Sequence, residues 1–273
     1  MITKKQFKLS NENSKPILGD LSYDTSKTIK GNIIFIHGFK GFKDWGAHHL
    51  TANFFAEQGY RYIKFNLSHS GVSEDQPADI TDLEAFGNNT VSKELADISL
   101  VIDHITNEFP DDKLFVIGHS RGGGLAILQA RKDNRISNLV TWAAIADFSS
   151  LWKKEQEAEW QQNGCIYITN ARTKQQMPLY KVLMDDFYAH KEEYDILSAA
   201  KDITIPWLIL HGDKDSSVDF SVAQRLAQAQ PNATIQKIEN ADHVFGASHP
   251  YAGTVLPAQL HEVCEQTLEF IEG

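Results

Sequence analysis

The sequence is poor in several features that would assign it to a common class of protein. It has two cysteines among 273 residues, Cys165 and Cys264, and no cluster of Cys and His with metal-ligand spacing. Two distant cysteines make no disulfide framework, so we expect free thiols and neither a metal nor a cofactor. Lys and Arg number 26 against 36 Asp and Glu, and the resulting net charge of −10, without a basic block, argues against a nucleic-acid partner.

Long hydrophobic runs are also missing from the sequence. No stretch approaches the roughly 18 apolar residues of a membrane span, and residues 1–7 lack the apolar core of a signal peptide. We therefore expect a cytoplasmic protein without a membrane partner. With 42% hydrophobic residues the chain is long enough for one large core, and we expect a monomer or homodimer that acts on a small molecule.

What the sequence does contain is a regular alternation of apolar strands with helices. Continuous apolar strands in this alternation predict an α/β fold with a mostly parallel central sheet and helices on both faces. Ligands bind such sheets at the carboxyl ends of the strands. The predicted strands are 7–9, 17–23, 32–36, 61–66, 114–117, 139–144, 207–210 and 234–238, and the main predicted helices are 47–58, 91–109, 220–230 and 255–271.

Residues 148–200 interrupt the alternation because they are too long for a simple crossover between strands. We interpret them as a lid inserted between two parts of the core, residues 1–147 and 201–273. A lid over the strand ends would place some of its aromatic side chains against a substrate. The candidate substrate-binding residues are Trp152, Trp160, Tyr167, Tyr180 and Phe187.

A glycine-rich turn lies between the predicted strand at 114–117 and a helix of small residues. The turn reads Gly118-His119-Ser120-Arg121-Gly122, the G-x-S-x-G pattern of a nucleophile elbow, in the strand-to-helix context that the pattern requires. The turn is so tight that its serine must adopt a strained backbone, and the glycines allow the strand and the helix to approach each other. Ser120 is therefore the candidate nucleophile.

A serine nucleophile needs a histidine base and an acid that orients the base, and in the fold that carries this elbow both follow the serine, the acid first. Asp215 follows the predicted strand 207–210 and is our candidate acid; Asp213 and Asp147 are the alternatives. His243 follows the strand 234–238 in a polar turn and is the candidate base, with His249 as its competitor.

The candidate oxyanion-binding groups are two backbone N–H groups. Phe39 follows a glycine just after the predicted strand 32–36, where the backbone can turn its amides toward the serine. Arg121 follows the nucleophile and opens a helix, so its N–H points at the charge that develops on the substrate.

These residues together resemble the α/β-hydrolase superfamily over nearly the whole chain. The motifs that carry the resemblance are His37-Gly38-Phe39, Gly118-His119-Ser120-Arg121-Gly122, His211-Gly212-x-x-Asp215-x-x-Val218 and Ala241-Asp242-His243-Val244-Phe245. Within the superfamily the chain is similar to lidded esterases and thioesterases related to cinnamoyl esterases, dienelactone hydrolases and serine aminopeptidases. It departs from many relatives at residues 66–73, which lack their Asp and Arg. It also carries a serine where a dienelactone hydrolase carries a cysteine.

The resemblance implies hydrolysis of a carboxylic ester, or a thioester, through an acyl-serine intermediate. One alternative is a serine aminopeptidase, which would need an acidic anchor for an α-ammonium group; the candidates in the lid are Glu155, Glu157, Glu159, Asp185 and Asp186. The other alternative is a ligand-binding protein that retains the pocket. The presence of all three residues, Ser120, Asp215 and His243, argues against this alternative.

Overall fold

The structure is a computed structural model that describes residues 1–10 and 15–273. Eight strands form a central sheet, and a further two, β7 and β8 in chain order, form a separate hairpin. The strands are β1 (Ile2–Leu9), β2 (Ile17–Asp24), β3 (Gly31–Ile36), β4 (Tyr60–Phe65), β5 (Leu114–His119), β6 (Ile136–Trp142), β7 (Cys165–Thr169), β8 (Gln176–Tyr180), β9 (Trp207–Gly212) and β10 (Thr234–Ile238).

The order of the strands across the central sheet is β1-β2-β4-β3-β5-β6-β9-β10. From β4 to β10 every neighbouring pair is parallel, whereas the pairs β1–β2 and β2–β4 are antiparallel. The prediction of an α/β fold with a mostly parallel sheet is confirmed. The parallel strands share one carboxyl edge, and the loops that leave this edge are the place to look for a site.

Helices cover both faces of the sheet. They are α1 (His48–Glu57), α2 (Leu83–Gly87), α3 (Val91–Glu108), α4 (Arg121–Lys132), α5 (Glu157–Asn163), α6 (Lys181–Ala189), α7 (Ile196–Lys201), α8 (Phe220–Ala229) and α9 (Ala258–Glu272). Alternate residues of a strand point to opposite faces. In β3, Ile34 and Ile36 pack into a core with α3 and α4, whereas Ile33 and Phe35 pack into a second core with α1 and α9.

Most element boundaries agree with the predicted ranges to within three residues, but β1 begins at Ile2, five residues before the predicted range 7–9. The predicted range 255–271 begins three residues before α9, whose N-cap residue is Pro257. The residue before a proline is pushed away from helical backbone angles, so the helix begins only after this proline.

Residues 148–200 contain two short 3₁₀ turns, helices α5 and α6, the β7–β8 hairpin and all but the last residue of α7. The hairpin pairs Cys165 with Tyr180 and Thr169 with Gln176. The last helix of the segment, α7, packs back onto the core, since a Cβ added at Gly124 of α4 would lie 2.7 Å from the Ile196 side chain. No helix in the described part of the chain is long and apolar enough to cross a bilayer.

Candidate active site

Ser120 lies at the carboxyl end of β5, in the turn that leads into α4. Its backbone is left-handed, with φ 57° and ψ −120°, a conformation that costs free energy for a residue other than glycine. The two flanking glycines make the turn sterically allowed. A Cβ at Gly118 would lie 2.3 Å from the Gly122 carbonyl oxygen, and a Cβ at Gly122 would lie 2.3 Å from the Ile36 carbonyl oxygen. The elbow predicted from the sequence therefore has the close packing that explains its glycines.

His243 connects Ser120 to Asp215 through hydrogen bonds. Its Nε2 lies 2.9 Å from the Ser120 Oγ, and its Nδ1 lies 2.7 Å from Asp215 Oδ2. An ionised carboxylate can only accept, so Nδ1 carries the proton and Nε2 is left with a lone pair that accepts the serine hydroxyl proton. The structure thus brings together the three residues that the sequence singled out, each from the loop after a different parallel strand.

Asp215 is buried, and its two oxygens are fully engaged. The backbone N–H groups of Ser217 and Val218 donate to Oδ1 at 2.8 and 2.9 Å, which leaves Oδ2 for the histidine. Burial by itself raises the pKa of Asp215, but the hydrogen bonds from His211 and His243 outweigh this effect and hold the pKa well below its ordinary value. Asp215 is therefore ionised at neutral pH and can accept the hydrogen bond from His243 Nδ1.

The alternatives weighed for acid and base have other hydrogen bonds. Asp213 accepts from the Asn240 N–H at 2.7 Å, and Asp147 caps a 3₁₀ turn by accepting from the Ser149 N–H at 2.8 Å. The ring of His249 accepts from the Gly46 N–H and contacts the Ala78 carbonyl oxygen. Among the described residues, none of the three is hydrogen-bonded to Ser120 or His243.

The loop after β3 packs directly against the nucleophile. A Cβ at Gly38 would lie 3.0 Å from the Ser120 Cβ, so the chain passes Ser120 closely just before Phe39. Arg121 is the first residue of α4, and the first N–H groups of a helix have no partner within it. Its side chain turns away and donates to buried Glu94 at 2.7 Å. This arrangement leaves the Phe39 and Arg121 amides beside Ser120 as the candidate oxyanion-binding groups.

A cleft with two lobes opens on Ser120 and His243. The larger lobe, about 450 Å³, is lined on its apolar side by Leu151, Val218 and Val222. The smaller lobe, about 230 Å³, is lined by Phe42, Trp45 and the turn of the β7–β8 hairpin, among others. The lobes meet at Ser120, and Phe39, Lys40 and His243 line both. The cleft therefore offers two separate spaces on either side of Ser120.

The structure does not bring the five candidate lid aromatics into this cleft. Trp160 is fully buried and packs edge-to-face on Trp152, which packs in the same way on Phe187. Trp152 and Phe187 line a neighbouring cavity of about 390 Å³ that does not reach Ser120. Tyr167 is 61% exposed, and Tyr180 donates to the Glu84 carboxylate at 2.7 Å. Trp152, Trp160 and Phe187 thus join the hydrophobic core that lies under α3 and α4, because burying these rings stabilises the segment.

The acidic residues considered as anchors for an α-ammonium group are also away from the cleft. Glu157 accepts from Trp152 Nε1 and the Tyr188 hydroxyl, Asp185 pairs with Lys181, and Asp186 accepts from the Ser92 N–H. In the described part of the chain, no group of three or more His, Cys, Asp or Glu side chains is arranged to hold a metal ion.

Two histidines that sequence reasoning set aside contact the candidate residues. His119 Nε2 donates to the His243 carbonyl oxygen at 2.8 Å, and burial, reinforced by the nearby His243, lowers the pKa of His119 to about 3. His211 Nε2 lies 2.8 Å from the Val218 carbonyl oxygen and 3.2 Å from Asp215 Oδ2. Both histidines belong to the motifs quoted above, but their contacts depend on how separate loops meet, which spacing does not reveal.

Comparisons with known proteins identify the family of the chain. Residues 33–255 match the sequence model of the alpha/beta hydrolase family. The match spans most of the chain, so the protein belongs to the alpha/beta hydrolase family, and this membership supports a hydrolase. A search of curated protein sequences returned no match.

Solved structures with the same fold include proteins of several bacteria. A protein from Agrobacterium vitis S4 superposes with a TM-score of 0.73 at 18% identity, over 99% of both chains. Est1E from Butyrivibrio proteoclasticus gives 0.69 at 16% identity, over 98% of this chain and 99% of that one. Dienelactone hydrolase from Anabaena variabilis ATCC 29413 superposes with a TM-score of 0.65 at 14% identity, over 99% of this chain and 97% of that one. At these identities the likeness shows the fold alone.

Proposed function

We propose that the protein is a serine hydrolase that cleaves a carboxylic ester, or a thioester, through an acyl-serine intermediate. The observation that carries the proposal is the continuous hydrogen-bond chain from the Ser120 Oγ through His243 to Asp215, with distances of 2.9 and 2.7 Å. A binding protein would have no need for all three groups in hydrogen-bonding register at a strained serine.

In the proposed reaction, Ser120 Oγ attacks the ester carbonyl carbon while its proton moves to His243 Nε2. The carbonyl oxygen becomes an oxyanion and accepts hydrogen bonds from the Phe39 and Arg121 amides. The tetrahedral intermediate collapses, and His243 delivers the proton to the departing alcohol or thiol. Water then attacks the acyl-serine with His243 again as the base, which releases the acid and restores the Ser120 hydroxyl. Asp215 stabilises the imidazolium in both halves.

The cleft supports a small ester rather than a peptide. Both lobes are of a size that holds small groups, and the larger has the apolar surface of Leu151 and Val218. Of the lid carboxylates considered as anchors for a peptide's amino terminus, Glu157, Asp185 and Asp186 lie outside the cleft, bound to lid and core residues. The two carboxylates that do line the larger lobe, Asp147 and Asp219, each accept from a nearby serine N–H. Est1E, which shares the fold, has a structure with ferulic acid bound, so a feruloyl ester belongs in the substrate panel.

The test uses the wild type, Ser120→Ala and a matched control, Ser150→Ala. Ser150 lines the larger lobe as Ser120 does, but its hydroxyl donates to the Asp147 carbonyl oxygen. We expect Ser120→Ala to lower kcat/KM on 4-nitrophenyl esters on the order of 10³-fold or more, with Ser150→Ala close to wild type. A fluorophosphonate should label the wild type and Ser150→Ala only.

The same panel includes acyl-CoAs, feruloyl esters and aminoacyl anilides. Near-normal turnover by purified Ser120→Ala would overturn the proposed mechanism. If aminoacyl anilides were hydrolysed with a higher kcat/KM than every ester, the protein would be an aminopeptidase rather than an esterase. A folded wild type that neither turns over nor takes the label would indicate a binding protein.

A further inference from the structure

The two lobes of the cleft differ in charge. The larger lobe is lined by both signs, since Asp147 and Asp219 share it with Arg225 and Lys40. The smaller lobe has no acidic side chain among the described residues that line it, and it has two cationic ones, Lys40 and Arg172. This is the opposite of the chain as a whole, whose net charge is −10.

Lys40 stands out among the lysines of the protein. It is partly buried, and within the described residues its ammonium group makes no ion pair and no hydrogen bond. Its Nζ lies 5.8 Å from the centroid of the Phe39 ring. The buried lysines Lys43 and Lys64, in contrast, both pair with Asp20 at 2.8 Å. Burial without a compensating carboxylate lowers the pKa of Lys40.

The position of Lys40 is set by the loop that also carries the candidate oxyanion amide. The residue directly follows Phe39, and its backbone is left-handed with φ 59°, a strained conformation outside glycine. The strained loop places its side chain on the lining of both lobes, beside Ser120. An unpaired, partly desolvated cation costs free energy in the unliganded protein, and such groups cluster where a ligand supplies the missing partner.

We infer that Lys40 binds a carboxylate group on the substrate, held in the smaller lobe, so that the preferred ester carries a negative charge. This inference rests on the proposed function. A lobe of about 230 Å³ between Phe42 and Trp45 holds a short chain or a single ring that ends in the carboxylate. Arg172 lies at the exposed rim and already pairs with Asp79 at 2.7 Å, so Lys40 is the cation that is free to receive the anion.

The test compares pairs of esters that differ only in a carboxylate. Mono-(4-nitrophenyl) glutarate and 4-nitrophenyl pentanoate place the difference on the acyl side, and 4-carboxyphenyl and phenyl pentanoate place it on the alcohol side. We expect the wild type to prefer the carboxylate member of at least one pair. The ratio of kcat/KM for that member over its neutral partner should fall about tenfold or more in Lys40→Met, because hydrogen bonds to charged groups are the stronger ones.

The chain offers a matched control in Lys174, a second lysine with a left-handed backbone, φ 60°. Its side chain is exposed and lines neither lobe. Lys174→Met should keep the wild-type ratio, and Lys40→Arg should keep most of it. The wild-type preference should also weaken as salt is added. If Lys40→Met slowed both esters equally, the ratio would stay unchanged and the inference would be overturned. Lys40 would then act on the oxyanion and not on a substrate carboxylate.

A binding measurement separates this inference from the proposed function. Ser120→Ala retains Lys40, so calorimetry should detect mono-(4-nitrophenyl) glutarate binding to Ser120→Ala at least tenfold more tightly than to Ser120→Ala with Lys40→Met. If this difference appears while the wild type hydrolyses no ester, the inference stands and the hydrolase proposal fails. If the wild type hydrolyses esters but the difference is absent, the inference alone fails. Tighter binding of the corresponding 4-phosphonobutyrate ester would overturn the assignment of a carboxylate.

Discussion

The Asp215 carboxylate is the most constrained group in the candidate site. Two backbone amides fix Oδ1, and His243 and His211 both contact Oδ2, at 2.7 and 3.2 Å. A carboxylate held this firmly can keep the imidazole of His243 in one orientation and one tautomer. Under the proposed mechanism its charge has a further role, since it stabilises the imidazolium that forms when Ser120 gives up its proton.

Asp215→Asn should therefore impair turnover while keeping the fold. The amide can donate to His243 Nδ1 and so favours the tautomer whose Nε2 carries the proton and cannot act as a base. We expect kcat to fall about 10³- to 10⁴-fold on the best ester of the panel. Asp213→Asn is the matched control, because Asp213 belongs to the same loop but accepts only from the Asn240 N–H among the described residues. Equal losses in the two variants would contradict the assignment of the acid.

The sequence was sufficient to predict Ser120, Asp215 and His243 as a set, because each follows a strand and parallel strands end at one edge of the sheet. It was insufficient for Lys40, His119 and His211. Their contacts arise where loops from distant parts of the chain meet, and a single loop's residue spacing carries no information about its neighbours. Residues 11–14, between the first two predicted strands, lie outside the described residues.

Residues 148–200, the predicted lid, show most clearly where the local sequence pattern fails to predict the tertiary packing. The sequence shows that residues 148–200 are rich in aromatic side chains, and it predicts a lid. It does not show which rings line the cleft, because that depends on how the short helices and the hairpin pack against one another. In the structure the rings of Trp152, Trp160 and Phe187 meet each other, and the cleft receives Ser150 and Leu151 from the first 3₁₀ turn and residues 170–172 from the hairpin turn.

Two substitutions separate the lid's structural residues from those that border the cleft. Trp160→Ala removes a fully buried ring and should lower the free energy of unfolding by about 3–5 kcal/mol, as measured by urea denaturation. It should leave the order of preference among 4-nitrophenyl esters of different chain length unchanged. Leu151 lines the larger lobe, so Leu151→Ala should change this order of preference several-fold through the lost apolar contact. If only Trp160→Ala changed the preference among esters, the lid aromatics rather than Leu151 would contact the substrate.

On the scale of the whole molecule, the fold buries acidic groups together with cationic partners. Asp20 pairs with Lys43 and Lys64, and Glu94 pairs with Arg121. Asp97 on α3 is different, because in the described part of the chain it makes no salt bridge; its Oδ2 accepts from the Ser68 N–H at 2.7 Å. Burial raises the pKa of Asp97 to about 7, against a smaller opposing effect of the Ser68 hydrogen bonds.

This carboxyl group should make the stability of the whole fold depend on pH. The unfolded chain releases the Asp97 proton near pH 3.8, whereas the folded protein keeps it up to about pH 7. Between these values the folded state binds one more proton, so the free energy of unfolding falls as the pH rises, by about 1.4 kcal/mol per unit and roughly 4 kcal/mol in total. The stabilising effect of the proton is complete below pH 3.8 and is lost above pH 7.

Asp97→Asn removes this titration but keeps an oxygen that can accept from the Ser68 N–H. Relative to the wild type, the variant should therefore gain stability as the pH is raised from 4.5 to 8, by roughly 3–4 kcal/mol in urea denaturation at the two pH values. Asp103→Asn is the matched control on the same helix, since Asp103 is exposed and pairs with Arg135. Groups that titrate in all three proteins cancel in the comparison, so only the difference between variants matters. A difference between the wild type and Asp97→Asn that stays constant from pH 4.5 to 8 would show that Asp97 is already ionised in the folded protein, with the Ser68 hydrogen bonds outweighing the effect of burial.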